Sequence, residues 1–155
     1  MEARMKNPAM LLPEATLQMI MGLGKAAQSG PVPVRTLELP HMRVSQINGC
    51  SFCVDMHAKA LTKSGESVDR LLAVAAWRES TLFTDAERAA IDLAEHATRM
   101  ADRGDPVPDP VWNEATRHFD EKAMAHLVLN IGLINMFNRM NVTTRQLAGS
   151  VKWDH

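Results

Sequence analysis

Apolar residues along this chain recur three and four positions apart far more often than they alternate, so the pattern predicts helices and almost no strand. A first helix is expected from Pro13 to Gln28, stopped by Ser29-Gly30-Pro31. A second spans Val34 to Asn48 with Pro40 inside it; that proline removes the bond to the Thr36 carbonyl, so a kink or a late start is expected. Gly49 closes this helix, because Asn48-Gly49 has helical patterns on both sides rather than alternating strands. The third helix carries Cys53 and His57 and ends near Ser64-Gly65, and a fourth covers Val68 to Glu79 around Leu71, Leu72, Val74, Ala75 and Trp77. Thr84-Asp85-Ala86-Glu87 is a capping box that opens a helix reaching Ala101, with Ala90, Ile91, Leu93, Ala94 and Ala97 along one stripe. Asp109 reads as the N-cap of a short helix from Pro110 to Phe119. The last helix, Glu121 to Met140, is apolar almost all round, which predicts burial on several sides and, in a chain of this size, a subunit interface. The expected fold is all-α, a single domain over residues 1–155 that assembles into a homo-oligomer.

Composition narrows the possible functions more than it narrows the fold. The formal net charge is −1 and no run of Lys or Arg exceeds a pair, which argues against nucleic-acid and membrane-surface partners. No apolar h-region follows the first residues, and no apolar run approaches the ~18 residues of a membrane span. A cytoplasmic protein is therefore expected. In that compartment two cysteines are more often catalytic, metal-binding or redox-sensing than structural.

Those two cysteines sit in Cys50-Ser51-Phe52-Cys53-Val54-Asp55-Met56-His57. On a helix, Cys50, Cys53 and His57 fall at i, i+3 and i+7 and stack along one face. Cys50 lies at the helix start, where free N–H groups and the dipole favour a thiolate. Cys53 has His57 one turn ahead, a base able to take its proton. The dipole thus favours Cys50 as the attacking sulfur and the histidine favours Cys53. The histidine decides, because a base also handles the proton of the leaving group. Three residues on, Cys50 is placed to resolve a sulfenic acid into a disulfide.

Glu38, Cys50, Cys53 and His57 in this spacing resemble the signature of the alkylhydroperoxidase-D-like (AhpD-like) branch of the carboxymuconolactone decarboxylase superfamily. The run Arg43-Val44-Ser45-Gln46-Ile47-Asn48-Gly49-Cys50 is similar to that branch, as are Ala75-Ala76-Trp77-Arg78, Phe83-Thr84-Asp85-Ala86-Glu87-Arg88 and Asn135-Met136-Phe137-Asn138-Arg139-Met140-Asn141. The resemblance implies a helical subunit in trimers or hexamers that reduces small-molecule hydroperoxides. It implies that Cys53 attacks, Cys50 resolves, Glu38 and His57 relay protons, and a dithiol, a lipoyl-bearing protein in the best-known members, reduces the disulfide. It implies no metal and no organic cofactor. The chain departs from the well-studied peroxidase by carrying Phe52 where that enzyme has a further histidine between the cysteines. Pro40, two residues after Glu38, also bears on where the carboxylate points.

Other readings of the same residues are two inert buried thiols, or a structural zinc site built from Cys50, Cys53, His57 and His41. By base rate a glutamate such as Glu38 on an amphipathic helix faces water. His41, His96, His118 and His126 read as surface or packing residues, and Trp77 as a core anchor. Two further functions compete with the peroxidase: the lyase chemistry in the superfamily's name, and a non-catalytic redox sensor.

Overall fold

The computed structural model describes residues 1–151. Among them are seven α-helices and no strand: α1 (Glu14–Gln28), α2 (Val34–Ile47), α3 (Ser51–Lys63), α4 (Val68–Ala73), α5 (Asp85–Thr98), α6 (Asp109–His118) and α7 (Glu121–Thr144). A short 3-10 turn, Pro8–Met10, precedes α1.

Helix α2 is the centre of the molecule and packs against α3, α5 and α7. Its side chains divide between two apolar clusters. Leu37 and Val44 join Cys50, Cys53, Leu93, Leu127, Ile131 and Ile134 on one side. Leu39 and Met42 join Leu61, Leu71, Trp77, Phe83 and Ile91 on the other. A helix walled on both sides is buried nearly all round, so Glu38, His41 and Ser45 are buried with their apolar neighbours. Pro40 lies inside α2 without ending it. The donor it deletes would have bonded the Thr36 carbonyl in the first turn, and an interior proline costs roughly 3 kcal/mol, which close packing of this helix offsets.

Two regions depart from the periodicity. Val68–Glu79 is not one helix: α4 ends at Ala73 and a 3-10 segment, Val74–Glu79, follows, with Ala76 in a non-helical conformation. This break turns Trp77 inward, where its indole N–H donates to Glu95 at 3.0 Å. Tertiary anchoring overrides an alanine-rich stretch that would otherwise stay helical. Asp109 is the first residue of α6 rather than its cap, which is Pro108. The capping box at Thr84 and Glu87 forms in both directions, although α5 stops at Thr98.

The last helix is longer than expected and less evenly buried. It buries one face and leaves Val128, Leu129 and Val142 exposed. The buried face is also more polar than its apolar composition suggests, since Asn130, Asn135, Asn138 and Asn141 all point inward. Asn130 donates to the Ala27 carbonyl at 2.8 Å and ties α1 to α7. Among the described residues, no helix is long and apolar enough to cross a membrane.

Candidate active site

Gly49 has φ of 66°, the left-handed region that glycine enters without a Cβ penalty. That turn lets the chain leave α2 and start α3 at once, with the Cys50 N–H donating to the Ser45 carbonyl at 2.9 Å. Cys50 is the N-cap of α3, and its sulfur accepts from the Cys53 N–H at 3.4 Å. A sulfur thus fills the role usually taken by a Ser or Asp oxygen. Both cysteines are free, with their sulfurs 2.6 Å apart.

Helix α7 supplies the other side of the thiol pair. Asn141 Nδ2 donates to Cys53 Sγ at 3.3 Å. Asn138 Nδ2 donates to Ser45 Oγ at 3.1 Å, and the Asn48 amide donates to both Asn135 and Asn138 at 3.0 Å. These bonds fasten the α2–α3 turn to α7 and leave one amide aimed at a sulfur.

The environment separates the two thiols. The hydrogen bond that Cys50 gives Cys53 is the largest influence on each: it pushes the Cys50 thiol up and brings Cys53 down to about 7. Burial raises both, whereas the amides of Asn141 and Asn138 and the nearby His41 imidazole favour the Cys53 thiolate. One proton leaves the pair easily and the second is held. The helix-start effect on Cys50 is present, but burial and the donated bond overwhelm it.

His57 lies one turn beyond Cys53 on α3, and its Nδ1 bonds Glu38 Oε2 on α2 at 2.6 Å. Burial raises the cost of charge on Glu38, but the imidazoles of His41 and His57 on its two oxygens outweigh that and hold the carboxyl well below its ordinary range. Burial also lowers His57, against the pull of Glu38, so the ring is neutral at pH 7. A neutral His57 bonded to a carboxylate carries its proton on Nδ1, leaving Nε2 as an unprotonated base. Glu38 is buried rather than solvated, despite the base rate for such residues.

His41, expected as a surface or packing residue or as a fourth zinc ligand, stands beside Glu38 and His57. It is buried, its Nδ1 lies 3.5 Å from Glu38 Oε1, and its ring centroid is 5.1 Å from that of His57. The missed signal is its position three residues after Glu38, which puts both on one face of α2. Asn138 and Asn141 were also missed as site residues; amides at i and i+3 in an otherwise apolar helix were the available sign. His96, His118 and His126 lie elsewhere, bonding Asp92, Glu114 and the Ala27 carbonyl. A surface cavity of about 480 Å³ between α6 and α7, lined by Trp112, Phe119, Met124 and Val128, includes none of the thiol-site residues.

Comparison with known proteins bears on the family and the fold. The pattern of the carboxymuconolactone decarboxylase family matches residues 14–96, more than half of the chain. The uncharacterized protein YdfG of Bacillus subtilis is 35% identical over 134 residues, covering 86% of this chain and 90% of YdfG. A crystal structure from Agrobacterium tumefaciens, ATU0492, of unknown function and suggested to be the antioxidant defence protein AhpD, superposes with a TM-score of 0.87 at 33% identity over 97% of this chain and all of that one. The debrominase Bmp8, solved with 2,3,4-tribromopyrrole, shares the fold at a TM-score of 0.76 and 19% identity, over 88% of this chain and 73% of its own. The chain belongs to the carboxymuconolactone decarboxylase family, as an AhpD-like member of that superfamily.

Proposed function

We propose that this protein is a thiol peroxidase that reduces hydroperoxides through a Cys50/Cys53 dithiol–disulfide cycle. The observation that carries the reading is the Cys53 sulfur: it contacts Cys50 and Asn141, and the histidine one turn ahead is locked in the base tautomer by a buried carboxylate.

Each step follows from a named group. Cys53 ionises at a pH near 7; no direct hydrogen bond joins it to His57, so its proton reaches His57 Nε2 through a bridging water, and Glu38 stabilises the resulting imidazolium. The thiolate attacks the terminal peroxide oxygen; an S–O bond forms, the O–O bond breaks, and the leaving alkoxide takes the proton from His57. Cys50 then attacks the Cys53 sulfenic acid; the S–S bond forms and the hydroxyl leaves as water with the Cys50 proton. The sum is two thiols and a hydroperoxide giving a disulfide, an alcohol and water. A dithiol such as a lipoyl protein returns the enzyme to the reduced state by exchange.

Cys53 is 1% exposed, which favours small hydroperoxides that pass through a transient opening in the packing. The same burial favours a second reading, a sensor that oxidises once and turns over slowly. The exposed apolar side of α7, with Val128, Leu129 and Val142, supports assembly into a homo-trimer or homo-hexamer, which light scattering reads directly.

The test is one equivalent of a small hydroperoxide added to the reduced protein, followed by intact mass and thiol count. Loss of two hydrogens and both thiols, reversed by dihydrolipoamide, is the expected result, and steady-state turnover then separates enzyme from sensor. Two unreacted thiols in a folded protein would exclude both and redirect attention to the lyase chemistry of the family name.

A further inference from the structure

We propose that Glu38, His41 and His57 form a binding site for one divalent transition-metal ion of the zinc type, and that its occupation withdraws the proton relay from the dithiol. One donor atom from each of the three side chains lies within 4.8 Å of the others, and all three residues are buried. Two come from one face of α2 and the third from α3, so the donors stand on rigid helices.

The nitrogen atoms carry the inference furthest. The bond between His57 Nδ1 and Glu38 accounts for one of four imidazole nitrogens. His57 Nε2 and His41 Nε2 have no hydrogen-bond partner, and His41 Nδ1 stands 3.5 Å from Glu38 Oε1 without hydrogen-bond geometry, although the two side chains are only 7% and 8% accessible. Buried polar atoms are nearly always paired, because leaving one unpaired costs roughly 1–3 kcal/mol. A metal ion that accepts one lone pair from each imidazole and one from the carboxylate pairs up to two of these three nitrogens.

Two nitrogens and one oxygen are the donor set of three-ligand zinc sites with an open fourth position. Imidazole donors select zinc, copper or nickel over magnesium and calcium. Bonds of about 2.0–2.2 Å require the donors to draw closer than they now stand, a movement within reach of side-chain rotation. The consequence for peroxide reduction rests on the function proposed above: a metal held by His57 and Glu38 removes the base and its carboxylate from Cys53. Binding itself does not rest on that reading. The site is also distinct from the Cys50, Cys53, His57 and His41 set that spacing alone suggested, since the cysteines are not needed to complete it.

The experiment uses the full reduced chain, stripped of metal, with Zn²⁺ measured by equilibrium dialysis and Co²⁺ by its visible spectrum. The expected results are one Zn²⁺ per subunit and the intense bands of four-coordinate Co²⁺. Binding should weaken about 100-fold or more in His41→Gln and in Glu38→Gln, and stay within about tenfold in Cys50→Ser/Cys53→Ser. In the wild-type chain, which needs no variant to fold, Zn²⁺ should shift the imidazole nitrogen resonances of two of the six histidines. No stoichiometric binding, binding unchanged in His41→Gln, loss in the double-serine variant, or shifts confined to other histidines would each overturn the site. The peroxide titration is done on metal-free protein, so its outcome stands apart from this one.

Discussion

Two buried glutamates, on helices that pack against each other, are treated in opposite ways. Glu95 on α5 is 2% exposed and saturated: it accepts from Arg43, from Arg78 at 2.7 Å, from Arg99 at 3.0 Å and from the Trp77 indole at 3.0 Å. Burial works against its charge, but these donors outweigh it and hold the carboxyl down to about 2. Glu38 on α2 is held down as well, yet its partners are two imidazoles that can themselves gain or lose a proton. Guanidinium groups do not exchange protons near neutrality, whereas imidazoles do. A carboxylate among arginines is a structural clamp, and one among histidines is equipped for chemistry. The comparison also explains why a depressed pKa by itself does not mark a functional site.

The contrast can be broken most sharply at the sulfur. Cys53→Ser should abolish disulfide formation and peroxide turnover, with the circular dichroism spectrum unchanged; full turnover in that variant would remove the proposed mechanism. Next in size, Glu38→Gln should slow peroxide-driven thiol loss by about 10²–10³-fold, the usual worth of a positioned acid–base group. Its cost in stability should be about 1–3 kcal/mol, because the amide keeps an oxygen toward His57 but gives up the charge that both imidazoles favour. Glu95→Gln should cost stability and spare the rate. Arg43 would be left poorly compensated in the interior, while Arg78 and Arg99 keep half or nearly half of their exposure. A loss of about 2–3 kcal/mol follows, a melting temperature lower by roughly 5–10 °C, with the oxidation rate of the surviving folded protein near wild type. Equal effects of the two glutamate variants on rate would erase the distinction between them.

Acid should strip both carboxylates of their advantage. Each has its folded pKa below its unfolded value, so the stability it contributes is full above the ordinary carboxylate range and is lost as pH falls through the folded pKa. Unfolding followed from pH 5 downward should be steeper in wild type than in either Gln variant. A wild-type curve parallel to both variants would contradict the linkage.

The periodic helices are legible in the sequence because amphipathic spacing survives in the folded state. The capping box at Thr84 and the break at Gly49 are local chemistry, and local chemistry is what a single chain displays. Trp77 shows the limit: nothing near it predicts the turn that aims its indole at Glu95, eighteen residues away. The thiol spacing and His57 are readable for the same local reason. The environment of Glu38 is not, since a helix walled on two sides buries residues that a one-sided pattern would assign to solvent. His41 and Asn141 escape for that reason too. The partner of Asn141 lies on α3, and His41, although it shares a face of α2 with Glu38, is buried by walls that its own helix does not reveal.

Asn141 and Asn130 repeat the contrast of the two glutamates at smaller scale, on a single helix. Asn130 spends its amide on the Ala27 and His126 carbonyls, both fixed backbone acceptors. Asn141 aims its amide at Cys53, an acceptor whose charge changes. Removing a donor from a thiolate disfavours the charged form, so Asn141→Leu should raise Cys53 from about 7, by roughly one unit for a bond of this length. The profile of thiol oxidation against pH should move to higher pH by that amount. The rate at pH 7 should then fall by about fivefold, while the two curves meet well above the raised pKa, where Cys53 is ionised in both proteins. Asn130→Leu should leave the midpoint in place and lower only the melting temperature, because its lost bonds reach no titrating group. A midpoint displaced equally by both variants would mean that general loosening of α7, rather than the single N–H···S contact, sets the reactivity of Cys53.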